Sequence, residues 1–207
     1  MFITFEGIDF CGKSTQVELL REYLTGRKKI VEIIREPGGT KISEMVRSIL
    51  LDKVHDNMCN ETEFLLFSSS RAQLVREKIR PYLLKGYYVI SDRFHDSSTA
   101  YQGFGRGLSV DAIMNIHNLA IGDTIPDITI FIDIPVEEAE KRKRLKHHQD
   151  LDRIEIAEKD FFEKVRNGYL YLSKDKRFRK VDGSLPVQEV HQKIIREIEL
   201  LEKRQKK

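Results

Sequence analysis

The feature that most constrains this chain is the segment Gly7-Ile8-Asp9-Phe10-Cys11-Gly12-Lys13-Ser14, which matches the pattern G-x-x-x-x-G-K-[ST] in full. An apolar run at residues 2–6 precedes it, and residues 14–25 follow with a helical stripe of apolar side chains. A glycine-rich turn between a strand and a helix places backbone N–H groups and a helix N-terminus around an anion. We therefore expect the loop to bind the phosphates of a nucleoside triphosphate.

Three side chains of this loop have expected chemical roles. Lys13 reaches the β- and γ-phosphates of the nucleotide, and the Ser14 hydroxyl binds Mg²⁺, the expected cofactor. Asp9 would repel phosphates unless it is paired, and the simpler alternative for it is a hydrogen bond that stabilises the loop. The residues expected to bind the nucleoside triphosphate are Gly7, Ile8, Asp9, Phe10, Cys11, Gly12, Lys13, Ser14 and Thr15.

Apolar strands alternate with amphipathic helices along the rest of the chain. This alternation predicts right-handed crossovers and a mostly parallel sheet that is covered on both faces. The expected fold class is α/β, a three-layer P-loop NTPase sandwich with a five-stranded sheet, and residues 1–207 are expected to form one domain. Strands are predicted at residues 2–6, 30–34, 87–91, 128–134 and 178–182, and helices at 14–25, 41–52, 61–84, 109–121, 135–146, 156–173 and 187–204.

The distribution of charge indicates a local anionic ligand. The chain has 36 Lys and Arg against 33 Asp and Glu, a formal net charge of +3. Five cations lie within residues 141–146 and four within residues 203–207, so the remainder of the chain is net negative. Such a cationic patch fits a small polyanion, a nucleic acid or simply a solvated surface.

Composition also bounds the compartment. Cys11 and Cys59 are the two cysteines and cannot form a disulfide framework, which favours a reducing, cytoplasmic location. No apolar run reaches the ~18 residues of a membrane-spanning helix, and the first residues lack the pattern of a secretory signal. We expect no membrane partner.

The ends of the other strands carry further polar motifs, and ligands of parallel sheets bind at this edge. Arg35-Glu36-Pro37-Gly38-Gly39-Thr40 follows the second strand, and Ser91-Asp92-Arg93 followed by Ala100-Tyr101-Gln102-Gly103 comes after the third. The basic segment ends in Leu151-Asp152-Arg153-Ile154-Glu155. Arg93 can bind a phosphate bidentately, although an ion pair with Asp92 is the simpler interpretation.

Together these motifs resemble those of the thymidylate kinases, the P-loop enzymes that phosphorylate dTMP to dTDP, from residue 2 to about residue 190. The R-E-P-G-G-T and A-Y-Q-G forms are similar to the bacterial members. The resemblance implies a nucleoside monophosphate kinase-like fold, ATP and dTMP as substrates, a homodimer and no nucleic-acid partner. Phe10 departs from the family pattern, which has glycine here in many bacterial members and arginine in eukaryotic ones. The arginines that act on ATP would then come from a lid.

The resemblance also implies roles on the acceptor side. Arg93 looks like the acceptor-phosphate arginine, and Asp9 would lie near the acceptor 3′-hydroxyl and the metal. Phe67 would stack on thymine, and Arg71, which lies four residues later on the same helix face, would donate to the O4 or N3 region of the base. Without the resemblance, Phe67 would be interpreted as a core residue. Tyr101 would exclude a ribose 2′-hydroxyl. The implied dTMP-binding residues are Asp9, Pro37, Phe67, Arg71, Arg93, Ser98, Tyr101 and Gln102, and the implied metal-site residues are Ser14, Asp9, Asp92 and Glu155.

The basic segment is implied to be a mobile lid at about residues 141–154. Its arginines would stabilise the charge on the transferred phosphoryl group. The implied catalytic residues are Lys13, Arg93, Asp9, Arg142, Arg144 and Arg153.

Several alternatives remain open at this point. Another nucleotide kinase or a deoxynucleoside kinase would share the architecture, and Glu36 could serve the latter as the base for a 5′-hydroxyl. A P-loop GTPase would normally carry N-K-x-D, a tetrapeptide that this sequence lacks. A nucleic-acid-binding protein would use residues 141–148 and the basic tail. The apolar face Ile42–Leu50 and the 61–84 helix fit either a dimer interface or burial within one chain.

Overall fold

A computed structural model describes residues 1–145 and 151–205 of the chain. Five parallel strands form one sheet in the order β2-β3-β1-β4-β5. The prediction of an α/β fold with a five-stranded parallel sheet is confirmed. The strands are β1 (Phe2–Glu6), β2 (Val31–Arg35), β3 (Tyr88–Asp92), β4 (Ile128–Asp133) and β5 (Phe178–Asp182).

The helices follow the predicted alternation, and most of their ends lie within three residues of the predicted ones. Residues 146–150, in the middle of the predicted lid, and 206–207, at the end of the basic tail, lie outside the described residues. None of the helices in the described ranges combines the length and hydropathy needed to cross a bilayer. The helices are α1 (Lys13–Gly26), α2 (Lys41–Leu51), α3 (Asn60–Leu74), α4 (Arg80–Leu84), α5 (His95–Ser98), α6 (Val110–Ile121), α7 (Val136–Lys143), α8 (Lys159–Leu172) and α9 (Val187–Gln205).

The long helix predicted at residues 61–84 is helical throughout, but it is not one regular α-helix. A π-helical turn at Val75–Ile79 separates α3 from α4. Pro81 stands at the start of α4 and has no N–H to donate to the carbonyl four residues earlier. A widened turn before a proline accommodates that missing hydrogen bond.

A second helical region, after β3, was missed from the sequence. α5 and a π-helical segment at Thr99–Gly105 form a compact stretch whose residues up to Gly103 are buried. Its run of small and polar residues lacks the apolar periodicity that identifies a helix in sequence. The segment packs closely against α8 instead. The contact is so tight that a Cβ on Gly168 of α8 would come within 3.0 Å of Phe104 and Ala100.

The sheet is buried on both faces, which makes the three layers. Neighbouring residues of one strand enter different cores: Ile3 packs in the cluster with Leu20, whereas Phe2 packs with Leu74 and Val89. The first cluster lies under α1, α8 and α9, and the second under α3 and α6. Continuous apolar strands are what a doubly covered parallel sheet requires.

The register of the strands brings their chemical residues to one edge. Phe5 pairs with Asp92, and Arg35 pairs with the same Asp92. The phosphate loop starts directly after β1, at Gly7, and Arg93 directly after β3. The candidate residues therefore meet because parallel strands end together.

Two neutral histidines are buried beneath this edge. His95 and His117 pack edge to face with ring centroids 5.3 Å apart, and His117 Nε2 shares a hydrogen bond with the Thr99 hydroxyl at 3.1 Å. Burial lowers the pKa of His95 to about 4 and that of His117 to about 2. Both imidazoles therefore stay neutral in the folded chain at neutral pH. Because the unfolded chain protonates them more readily, acidification lowers the free energy of unfolding through these two residues.

Replacing His117 with glutamine should remove part of the decrease in the free energy of unfolding that occurs as the pH falls. The unfolded chain protonates His117 below its ordinary pKa of about 6.5, whereas the folded chain does not do so until about 2. Between pH 6 and 4 the free energy of unfolding of the wild type should fall relative to H117Q by about 1.4 kcal/mol per pH unit. Urea titrations at several pH values measure this difference.

The comparison must be made between variants, because other groups titrate in the opposite direction. Burial raises the pKa of Glu6 and that of Glu36 to about 7, so both bind protons more readily in the folded chain. Both contributions are common to wild type and H117Q and cancel in the difference. Parallel curves for the two proteins would contradict the buried neutral state of His117.

Candidate active site

The phosphate loop has the backbone geometry that its glycines predict. Gly7 and Gly12 have φ angles of 143° and 98°, in the region that favours glycine. A Cβ on Gly7 would lie 2.5 Å from the carbonyl oxygen of Ile132. The Lys13 ammonium lies inside the loop, where it donates to the carbonyls of Gly7 and Ile8 at 3.1 and 2.9 Å. A cation and the N-terminus of α1 thus converge within the loop, which suits phosphate binding.

Phe10 occupies a left-handed backbone position in this loop, with φ at 64°. Such a conformation costs an L-residue about 1–2 kcal/mol, whereas glycine adopts it freely. The carbonyl oxygen of Phe10 accepts a hydrogen bond from Arg142 at 3.3 Å. The chain thus carries a bulky residue at a position whose backbone suits glycine.

Arg93 is the cation that connects the phosphate loop to the rest of the cleft. Its guanidinium donates to the carbonyl of Gly7 at 3.0 Å, to the Asp9 carboxylate at 2.5 Å and to the hydroxyl of Tyr101 at 3.1 Å. It also donates to the Tyr169 hydroxyl at 3.2 Å. Arg93 itself is left-handed, with φ at 72°, which turns the side chain from the end of β3 back over the loop.

Asp9 is paired, as the sequence requires of a carboxylate beside phosphates. It accepts from Arg93 and, at 2.7 Å, from the Tyr101 hydroxyl. Burial alone would raise the pKa of Asp9, but the charges of Arg93 and Lys13 lower it below its ordinary value. Asp9 is therefore ionised at neutral pH.

The residues expected to hold a metal ion converge beside the loop. The Ser14 hydroxyl donates to the Asp92 carboxylate at 2.7 Å. A hydroxyl and a carboxylate are hard oxygen ligands, and Mg²⁺ in nucleotide sites takes one or two protein ligands together with phosphate oxygens and water. The donor set therefore fits Mg²⁺ bound with a nucleotide. The described residues contain no cluster of three or more acidic, histidine or cysteine side chains suited to a resident ion.

Asp152 and Glu155 form a reciprocal turn next to this group. The Asp152 carboxylate accepts from the N–H of Glu155 at 2.9 Å, and the Glu155 carboxylate accepts from the N–H of Asp152 at 3.1 Å. The arrangement resembles the capping box of a helix N-terminus. It holds the Glu155 backbone at the side of the cleft.

Two pockets share one wall. The first is lined by the expected acceptor residues, and the second by Arg142 and the loop residues Phe10, Gly12, Lys13, Ser14 and Thr15. Asp9, Ser14, Asp92, Arg93 and Glu155 line both pockets. The expected acceptor residues in the first pocket are Asp9, Pro37, Phe67, Arg71, Arg93, Ser98, Tyr101 and Gln102.

Arg71 forms a buried ion pair in the first pocket. Its Nε donates to Glu36 at 2.6 Å and its Nη2 to the Ser98 hydroxyl at 3.0 Å. Nη1 of Arg71 is buried and has no hydrogen-bond partner within the described parts of the chain, and the same holds for Oε1 of Glu36. A donor is thus left at the pocket wall beside Phe67.

The three expected lid arginines lie in different places. Arg142 lies over the phosphate loop, where it donates to Phe10 and Gly183 carbonyls and pairs with Glu138. Arg144 is exposed just after α7. The structure does not bring Arg153 into either pocket, because its guanidinium is buried against Glu63 at 2.6 Å and the Leu50 carbonyl at 2.9 Å.

Comparison with known proteins agrees with this geometry. The family model "Thymidylate kinase" matches residues 5–194. A thymidylate kinase of Kosmotoga olearia is 49% identical over 201 residues, covering 95% of this chain and 94% of that protein. One of Thermoanaerobacter sp. is 48% identical over 196 residues, covering 94% and 95%. The crystal structure of the Ehrlichia chaffeensis thymidylate kinase matches with a TM-score of 0.75 at 33% identity, covering 96% and 98%.

The chain belongs to the thymidylate kinase family. It is therefore an ATP-dependent nucleotide kinase, and the predicted family, activity class and P-loop nucleoside monophosphate kinase fold are confirmed. This family membership argues against the GTPase alternative. The carboxylate of Glu36, which kept a deoxynucleoside kinase open, is buried in the ion pair with Arg71.

Two residues of this thymidylate kinase site carry no signal in the sequence. Tyr169 comes from α8, far along the chain, and its hydroxyl hydrogen-bonds with Arg93, Ser97 and Glu6. Arg47 lines the acceptor pocket from α2 and donates to the carbonyl of Pro37. Neither belongs to a motif, and only the packing of distant helices on the strand ends brings them in.

Phe10 offers a test of loop strain through two substitutions. F10G and F10A both remove the ring, but only glycine escapes the left-handed penalty. We expect F10G to exceed F10A in free energy of unfolding by about 1 kcal/mol, measured by urea titration. Equal stabilities would show that the position is not strained.

Proposed function

We propose that this chain transfers the γ-phosphoryl group of ATP to dTMP across the wall shared by its two pockets. The observation that carries the proposal is that Arg93 lines both pockets and at the same time donates to Gly7 and Asp9 of the phosphate loop, of which Asp9 also lines both pockets. In-line transfer needs donor and acceptor phosphates end to end, and one shared wall supports that alignment.

On the donor side, the loop backbone and Lys13 hold the phosphates of ATP. Ser14 and Asp92 would hold the Mg²⁺ that accompanies the nucleotide, with Asp9 and Glu155 close by. Bound there, Mg²⁺ would supply positive charge that stabilises the phosphates during transfer. Arg142 already lies over the loop, and Arg144 follows it at the end of α7.

On the acceptor side, Arg93 binds the dTMP phosphate and Phe67 stacks on the thymine ring. The unpaired Nη1 of Arg71 donates to the thymine O4 region, a bond that cytosine cannot accept at its exocyclic amine. Tyr101 stands against the sugar with its hydroxyl on Asp9, where a ribose 2′-hydroxyl would collide. Pro37, Ser98 and Gln102 complete the wall.

The chemistry needs no strong general base. A phosphate monoester has a second pKa of ~6, so the acceptor is largely a dianion at neutral pH. The main obstacle is repulsion between two polyanions, and Lys13, Arg93 and Arg142 neutralise it from separate elements. We leave Arg153 out of this set, because its guanidinium is committed to Glu63.

The segment at about residues 141–154 is proposed as the lid that excludes water from this cleft. Residues 146–150 of that segment lie outside the described part, so the proposal rests on the placement of Arg142 and Arg144. A cytoplasmic location goes with the free thiols Cys11 and Cys59.

A homodimer is proposed from the apolar side chains that α2 and α3 present outward. Ile42, Met45 and Ile49 on α2 are 53, 64 and 44% exposed, and Leu65 on the adjacent α3 is 52% exposed. A second copy covering this face would bury them. Analytical ultracentrifugation decides between one and two copies.

The proposed reaction is tested by an acceptor panel in a coupled assay of ADP release. With ATP as donor, turnover should be highest with dTMP, lower with dUMP and negligible with thymidine, AMP and GMP, because only a thymine-bearing monophosphate fills both the base wall and the Arg93 position. Thymidine turnover matching that of dTMP would instead favour a nucleoside kinase.

Replacing Arg93 with methionine should lower kcat/KM for dTMP by about 10²- to 10³-fold, since removing one preorganised donor from beside the reacting groups costs about that much. ATP binding, measured by calorimetry, should change far less, because Lys13 and the loop remain. R196M, on the exposed face of α9, is the matched control and should keep full activity. Retained turnover in R93M would exclude Arg93 from the reaction.

A further inference from the structure

A buried carboxylate, Glu63 on α3, lies behind the base wall of the acceptor pocket and is only 1% exposed. Four hydrogen bonds converge on it from three residues in two other parts of the chain. Gln102 Nε2 and Arg106 Nε donate to Oε1 at 2.9 and 3.2 Å, and Arg106 Nη2 and Arg153 Nη2 donate to Oε2 at 3.2 and 2.6 Å. Every acceptor position of this carboxylate is filled.

The pair of Glu63 and Gln102 fixes the direction of an amide. An amide oxygen facing a carboxylate would be repelled, so the NH₂ end of Gln102 must face Glu63. Gln102 is 1% exposed and lies in the wall of the acceptor pocket. Because its NH₂ end is held by Glu63, Gln102 directs its Oε1 away from that carboxylate, which makes this oxygen the acceptor that the amide offers to the pocket.

The same wall then offers a donor and an acceptor. Nη1 of Arg71 is the unpaired donor and Oε1 of Gln102 the acceptor. Thymine presents the complementary pair, an acceptor at O4 and a donor at N3–H. Cytosine presents the reverse, a donor amine at C4 and a lone pair at N3, so both positions would oppose it.

We propose that Glu63 is a positioning residue for base specificity: it holds the amide of Gln102 with its oxygen toward the pocket, so that only a pyrimidine with N3–H is accepted. Arg106 and Arg153 keep the buried carboxylate ionised, because their charges lower the pKa of Glu63 against the raising effect of burial. This inference rests on the base wall of the proposed function and adds the residue that sets its polarity. It also assigns Arg153 a structural partner in place of a phosphate.

The variant E63Q tests this because it is expected to reverse the orientation of the Gln102 amide. The new side chain turns its oxygen toward Arg153 and Arg106 and its NH₂ toward Gln102, which rotates to present its own NH₂ to the pocket. We expect kcat/KM for dTMP to fall roughly 10- to 100-fold, mainly through KM, because the base contact is the same in the ground and transition states. The inhibition constant of dCMP against dTMP should fall, so the ratio between the two nucleotides should drop at least ~10-fold.

Two further variants make the test specific. E61Q changes an exposed glutamate two residues earlier on α3 and should leave both nucleotides unaffected. E63D keeps the charge but withdraws the carboxylate from Gln102, and it carries the same expected loss of discrimination should E63Q fail to fold. In a Q102A background E63Q should not change the dTMP-to-dCMP ratio further, since Glu63 acts through that amide.

The outcomes separate this inference from the proposed function. A reduced ratio in Q102A with an unchanged ratio in E63Q and E63D overturns the role of Glu63 and leaves the base wall in place. An unchanged ratio in Q102A overturns the base wall itself. Equal losses for dTMP and dCMP in E63Q would show a structural role only and also overturn the inference.

Discussion

The ion pair between Arg93 and Asp9 is the interaction on which the rest of the site depends. It ties the end of β3 to the phosphate loop after β1, two neighbouring strands of one parallel sheet. The charges of Arg93 and Lys13 lower the pKa of Asp9, and the Arg93 side chain, which extends from a left-handed backbone, donates to Gly7, Asp9, Tyr101 and Tyr169. The pair therefore forms part of the wall between the two pockets and places charged groups on it.

The fold around this pair supplies anchors from elements that are distant in sequence. Glu6, the last residue of β1, accepts from the backbone N–H of Phe94, from Ser97 and from Tyr169, so it fixes the turn that follows Arg93. On the other side, Glu63 joins α3 to Gln102 and Arg153. Two buried carboxylates thus organise the two halves of the cleft, one behind the phosphate position and one behind the base position.

The sequence predicts the parts of the site that belong to contiguous motifs. The loop Gly7–Ser14, the order of strands and helices, and the position of Arg93 after β3 follow from local patterns, because the strand–turn–helix context determines them. Local patterns do not predict the pairing of Arg71 with Glu36 or the contacts of Tyr169. These contacts join segments that are separated by 35 residues or more in the sequence. Arg153 illustrates the limit: its motif suggested a phosphate contact, whereas the packing of α3 places it against Glu63.

The central claim is that cations from separate elements bring two mutually repelling phosphates together at Arg93. A crystal structure of the chain with dTMP and a non-hydrolysable ATP analogue tests it most directly. The account predicts the dTMP phosphate within hydrogen-bond distance of the Arg93 guanidinium, with the γ-phosphate of the analogue beside Lys13 across the shared wall. A dTMP phosphate bound away from Arg93, with both nucleotides ordered, would contradict it.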